Sequence, residues 1–232
     1  MTYSARDWEA NAAFVDPEYK STRLRGPTEP LVKLSGGLSE HTGPMFDAAA
    51  LHPLDDNLTK NGVRNGEPLG ERIVVTGRVL DDGGHPVPNT MIEIWQSNAA
   101  GRYVHSVDHH DAPLDPNFLG AGRCVTDANG LYRYYTIKPG AYPWGNHTNA
   151  WRPAHIHFSL FGHSFVSRIV TQMYFPGDPL LAFDPILQAV SSDESQRKLV
   201  AKWDSNITKS GWALGYRFDI VLSGPNHTPA EK

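Results

Sequence analysis

Between Arg72 and Phe161, short runs of alternating β-branched and aromatic residues are separated by Gly- and Pro-rich turn signals at roughly ten-residue spacing, which leaves no room for long helices. RIVVTGRVL, DDGGHPVPN and MIEIWQSN read as strand, turn, strand, with DDGG supplying the positive-φ positions of a tight reversal. TDANGLYRYYTI repeats the device at Asn129-Gly130, and HIHFSLFG, SRIVTQMYF and YRFDIVL complete the set. Without alternating helices, this series predicts a mainly β chain folded as an antiparallel β-sandwich. One short late helix is predicted from Asp193 to Trp203, with a capping acid and apolar Leu199, Val200 and Trp203, and DPILQAV ahead of it predicts a further helical turn. The chain is expected to be a single domain over residues 1–232. Its first part, 1–70, is an extended, Pro/Gly-broken N-terminal arm with a helical pattern around Ala5 to Phe14; 71–232 forms the sandwich core. So long an irregular arm is uncommon unless it docks on something.

Composition removes several function classes. A formal charge of −4 supplies no basic field for a phosphate backbone, so nucleic acid is not an expected partner. No run approaches the roughly 20 apolar residues of a membrane span, and MTYSARDWEANAAF lacks the features of a signal peptide, so a soluble, cytoplasmic protein is expected. The single cysteine, Cys124, cannot form an internal disulfide or a thiolate cage, and it is expected to pack as a small hydrophobe. Any metal must therefore use nitrogen and oxygen donors. Eleven histidines are present, and the stretch from His105 to His163 holds seven of them.

His155 and His157 stand at i and i+2 in a predicted strand, so both imidazoles point to one face, which is half of a metal site. Taken alone, such a pair serves equally as hydrogen-bonded core or surface histidines. Upstream, Pro139 to Gly145 form a stiff loop carrying Tyr142 and Trp144, Arg152 precedes the pair in WRPAHIH, and Gly101-Arg102-Tyr103 leads into the His-rich loop. In VHSVDHHDAP, His105, Asp108, His109, His110 and Asp111 suggest a second metal. Adjacent His109 and His110 cannot both face one ion in an extended strand, however, and Pro113 and Pro116 make this a loop. Surface or supporting roles are expected there instead.

The pieces IWQSNAAGRYVH, GRCVTDANGLYRYYTIKPGAYPW and WRPAHIHF resemble the signature of the intradiol ring-cleavage dioxygenases, specifically the β-type chains of the protocatechuate-cleaving branch, and the resemblance runs from the arm through Trp203. It implies a mononuclear, non-haem Fe(III) cofactor held by Tyr103, Tyr142, His155 and His157. The donor chemistry agrees: holding a phenolate at pH 7 costs roughly 4 kcal/mol against a free pKa near 10, and a hard trivalent ion offsets that better than zinc.

The resemblance further implies cleavage of 3,4-dihydroxybenzoate by O2 to 3-carboxy-cis,cis-muconate, in the β-ketoadipate route of aromatic catabolism. In that chemistry the substrate chelates the iron, Tyr142 leaves the metal and takes up a substrate proton, and Arg152 stabilises the carbanion-like ring. Tyr19 and Arg25 of the arm are expected to approach the substrate, or equally to contact a partner chain. Trp144 and Ile186 are expected to wall the ring, and Gln172 to hydrogen-bond near the iron or Arg152; Trp95 is expected in the core, with a supporting role behind the site as the second choice. The partner implied is a homologous α subunit in an αβ hetero-oligomer. Two alternatives remain at this stage: a catechol or hydroxyquinol 1,2-dioxygenase, whose N-terminal segment is generally helical, and a metal-free sandwich subunit or binding module.

Overall fold

The computed structural model describes residues 10–11, 51–148, 150–161 and 169–231. Tyr19, Arg25 and, apart from Ala10 and Asn11, the helical pattern around Ala5 to Phe14 lie outside them.

Two sheets face each other. The first is built on β1 (Arg72–Leu80), which pairs antiparallel with β4 (Leu131–Ile137) and in parallel with β10 (Leu214–Arg217) and β11 (Ile220–Val221); β9 (Lys202–Trp203) completes it against β10. The second sheet is antiparallel throughout: β3 (Ala121–Val125), β2 (Met91–Trp95), β7 (His155–Phe161) and β8 (Ile169–Tyr174), in that spatial order. A two-stranded ribbon, β5 (Tyr142–Pro143) with β6 (Trp151–Arg152), stands apart from both. Ile73, Val75, Tyr132 and Tyr134 from one sheet meet Ile92, Ile94, Ile156 and Phe158 from the other in one buried cluster. Phe158 sits edge-on to Tyr132 and Tyr134, with ring centres 6.1 and 6.0 Å away. Cys124 joins this core, where burial pushes its thiol far above the usual range, so it packs as the predicted inert hydrophobe.

The sandwich thus follows the predicted strand series, with two parallel pairings added. The two predicted hairpins do not form as such. Around Gly84, at φ +79°, the chain reverses and bonds Asp81 to His85, but Pro86 and Pro88 have no amide hydrogen to extend a ladder. After the Val87 N–H donates to Val79 the chain crosses to the second sheet, so β1 and β2 lie in different layers. Asn129-Gly130 likewise carries β3 into β4 across the sandwich.

The late helix is shorter than predicted. A short helix, α1 (Pro185–Gln188), follows a 3-10 turn at Pro179–Phe183, and α2 covers only Asp193–Lys198. Ser192, not an acid, caps α2 by accepting from the Ser195 amide. The helix ends where Tyr174 donates to the Leu199 carbonyl and accepts from the Ala201 amide, pulling this segment into extended pairing; Trp203 belongs to β9.

Residues 55–58 of the predicted arm dock on the sandwich. Arg123 donates to the Asp55 carbonyl, Tyr135 to Asp56, and Leu58 back to Tyr135, with the Leu58 side chain fully buried. Among the described residues, no helix is long and apolar enough to cross a membrane.

Candidate metal centre

Strand alternation decides where chemistry can sit. In β7, Ile156, Phe158 and Leu160 enter the core, so His155 and His157 project from the outer face of the second sheet. Their rings lie 4.9 Å apart at 75°. Register places Trp95 beside His157 on one side and Gln172 on the other. The Trp95 ring stacks on His157 at 4.8 Å and 3°. This corrects the expectation of a core tryptophan: Trp95 is a brace and a cavity wall.

The tyrosines arrive on two loops that touch backbone to backbone. Tyr103 follows Gly101, and Tyr142 follows Gly140. A Cβ on Gly101 would lie 2.2 Å from the Ala141 carbonyl oxygen and one on Gly140 2.4 Å from that of Ala99, while Gly101 also holds φ +78°. Only glycine permits this approach. Asp108 accepts from the Tyr103 and His110 amides at 2.7 and 2.8 Å, and the His110 ring bonds the Gly101 carbonyl. Asp108 and His110 thereby fold the loop that carries Tyr103. The outcome is a tight group: the Tyr103 and Tyr142 rings meet edge to face at 5.4 Å, and the Tyr142 hydroxyl lies 3.4 Å from His155 Nε2.

Each histidine has its tautomer set from behind. Pro153 offers only a carbonyl, so His155 Nδ1 donates to it at 2.7 Å and Nε2 keeps its lone pair. Burial, Arg152 and His157 hold the His155 pKa well below the usual range, so the ring is neutral. His157 Nδ1 bonds the Glu231 carboxylate at 3.1 Å. Burial works to raise Glu231, but the His157 hydrogen bond and charge, with help from Gln172 and Arg152, hold it below the ordinary carboxylate range.

The phenols are in the opposite condition. Burial pushes Tyr103 well above its usual pKa, reinforced by Tyr142; burial also raises Tyr142, though Arg152 opposes it. Among the described residues, the buried Tyr103 hydroxyl meets no hydrogen-bond partner at ordinary distance, with the Tyr142 phenol as a polar neighbour. A phenol oxygen without a partner, beside a second phenol and two imidazoles, is a set of donors whose chemistry fits a hard cation. No three His, Cys, Asp or Glu side chains gather to hold a metal among the described residues, so a site here needs the phenols.

Arg152, 2% exposed, is fixed by a network the sequence reading did not foresee in full. Its Nε and Nη2 donate to the two Asp184 carboxylate oxygens at 3.1 and 3.0 Å, and Nη2 also reaches Tyr174 and Gln172. Burial opposes the charge, but Tyr174, Asp184 and Tyr142 keep the guanidinium protonated. Gln172 therefore meets Arg152 as expected, while Asp184, Tyr174 and Glu231 were missed. Asp184 had a local signal, as the capping acid before Pro185; Glu231, 74 residues from its histidine, had none.

A cavity of about 1140 Å³ opens over Tyr103, Tyr142 and His157, walled by Trp95, Trp144 and Trp151. Ile186 does not line it and instead follows Asp184, to which its amide donates.

A family model described as "Dioxygenase" matches residues 41–224, and one described as "Protocatechuate 3,4-dioxygenase beta subunit N terminal" matches residues 5–35. The chain is 63% identical to the protocatechuate 3,4-dioxygenase beta chain of Burkholderia cepacia, over 98% of this chain and 96% of that one. To the alpha chain of Pseudomonas putida it is 29% identical, over 81% of this chain and 89% of the other. The solved 3-chlorocatechol 1,2-dioxygenase of Rhodococcus opacus 1CP superposes with a TM-score of 0.57 at 25% identity, covering 77% of this chain and 69% of that one.

Proposed function

Because the chain belongs to the intradiol ring-cleavage dioxygenases, we propose that it cleaves protocatechuate with O2 to 3-carboxy-cis,cis-muconate, as the β chain of an αβ assembly, using a mononuclear ferric ion. The observation that carries this reading is the convergence of two phenols and two imidazoles in one group, with the Tyr103 oxygen unpaired among the described residues. Tyr103, Tyr142, His155 and His157 would hold the iron. When bound, the ion supplies Lewis acidity that stabilises the phenolates and the deprotonated catechol.

The chain's own residues do the rest. Tyr142, which would be one of the iron's donors, would accept a substrate hydroxyl proton at its phenolate oxygen; burial raises that oxygen's affinity for the proton, and the nearby Arg152 charge opposes the rise. Arg152 holds a fixed positive charge against the anionic ring and cannot act as an acid, since Asp184 locks it protonated. Trp144, whose ring lies 5.7 Å from the Arg152 guanidinium, and Trp95 give the aromatic substrate flat apolar walls that exclude water. Tyr19 and Arg25 are proposed to approach the substrate from the arm.

The test is substrate preference. Protein purified with its α partner should turn over protocatechuate in preference to catechol and hydroxyquinol, with 3-carboxy-cis,cis-muconate as product. A preference for catechol would overturn the assignment of substrate.

A further inference from the structure

Glu231 is tied to the sandwich from several sides. Its amide donates to the Val170 carbonyl at 2.7 Å, the Thr171 hydroxyl donates to the Pro229 carbonyl at 2.6 Å, and Thr228 and Val221 exchange bonds through an amide and a hydroxyl. Ala230 is buried in the main core, and its amide donates to Asn11 Oδ1 at 2.7 Å, so the N-terminal arm fastens the same segment. These contacts hold residues 228–231 along β8, one strand from His157. The side chain then bonds His157 Nδ1 on the far side of the ring from the free Nε2.

The two histidines are therefore backed unequally. His155 leans on a neutral carbonyl, His157 on a carboxylate. A carboxylate behind an imidazole fixes its tautomer and raises its donor strength, and loss of such a partner typically weakens metal binding ~10–100-fold. Stacking on Trp95 closes one face of the same ring, so its remaining rotational freedom is set by the Glu231 bond.

We propose that Glu231 is a positioning residue that makes His157 the stronger of the two imidazole donors to iron, and that Asn11 of the arm supports it by holding the 228–231 segment. This rests on the ferric reading above. The test uses the αβ protein as wild type, Glu231→Gln and Glu231→Ala, measuring iron per chain, the rate of iron release to a chelator, the visible tyrosinate-to-iron absorption, and the thermal midpoint of the iron-free forms. Wild type should load iron and be coloured. Glu231→Ala should release iron ~10–100-fold faster. Glu231→Gln, which keeps an acceptor oxygen without the charge, should retain most of its iron but show a shifted absorption band. All three should share one iron-free midpoint, since the carboxylate is partly exposed. Equal release rates and unshifted bands in both variants would overturn the role of Glu231 alone. Wild-type protein that takes up no iron would overturn the ferric reading and this proposal with it.

Discussion

Four side chains meet over the outer face of the second sheet, and the fold prepares them unequally. His155 is held neutral with its Nε2 lone pair presented and His157 is oriented by Glu231, while the phenols are buried in a state that resists ionisation. A metal ion held as proposed would resolve that conflict, so Tyr103→Phe should cost more than the ~10–100-fold affinity loss of an outer partner, and titration with ferric iron checks it. Arg152 poses a separate problem, because a guanidinium 2% exposed is tolerable only while Asp184 faces it. Asp184→Asn should therefore lower stability by about 3–5 kcal/mol, read from denaturant midpoints, and reduce kcat as the charge loses its position. A loss below about 1 kcal/mol would mean that the pair is compensated elsewhere.

At the scale of elements, the two tyrosine loops depend on glycine contact. Gly101→Ala places a Cβ against the Ala141 carbonyl at a positive φ, which should cost about 1–3 kcal/mol and separate Tyr103 from Tyr142. Iron content falling together with the thermal midpoint checks this; a lowered midpoint with full iron would show that the loops adjust independently. The hairpin of β9 and β10 carries a pH-dependent clasp. The Asn206 amide and the Arg217 guanidinium hold Asp204 below the usual carboxylate range. A depressed pKa contributes stability above the unfolded value near 3.9, and that contribution disappears as pH falls through the folded pKa. Asp204→Asn should thus lower the melting temperature at pH 7, and the difference from wild type should shrink as pH falls below about 4 toward the folded pKa; a difference that stays constant as the pH is lowered would count against the clasp. In β7, alternation alone told which face carries the histidines. In 81–88 the same kind of local pattern misled, because a turn signal reports a reversal and not which layer the chain joins next.

For the whole molecule, legibility in sequence followed the range of the interactions. The strand series and the His155 and His157 pair were readable because each is local, whereas the two tyrosines were marked only through the family resemblance of their motifs. Glu231 behind His157 and Trp95 upon it come from register and from a segment 74 residues away, and composition carries no trace of either. The parallel pairings of β10 and β11 with β1 are equally non-local. Glu231 and Trp95 both bear on His157, so the central claim is best tested where iron, substrate and partner chain are together. Anaerobic addition of protocatechuate to the αβ protein, followed by visible absorption, makes that test. A coloured protein with one iron per β chain, whose band shifts before oxygen is admitted and which then yields 3-carboxy-cis,cis-muconate, is the predicted result. A colourless, iron-free protein that still turns over protocatechuate would contradict the account.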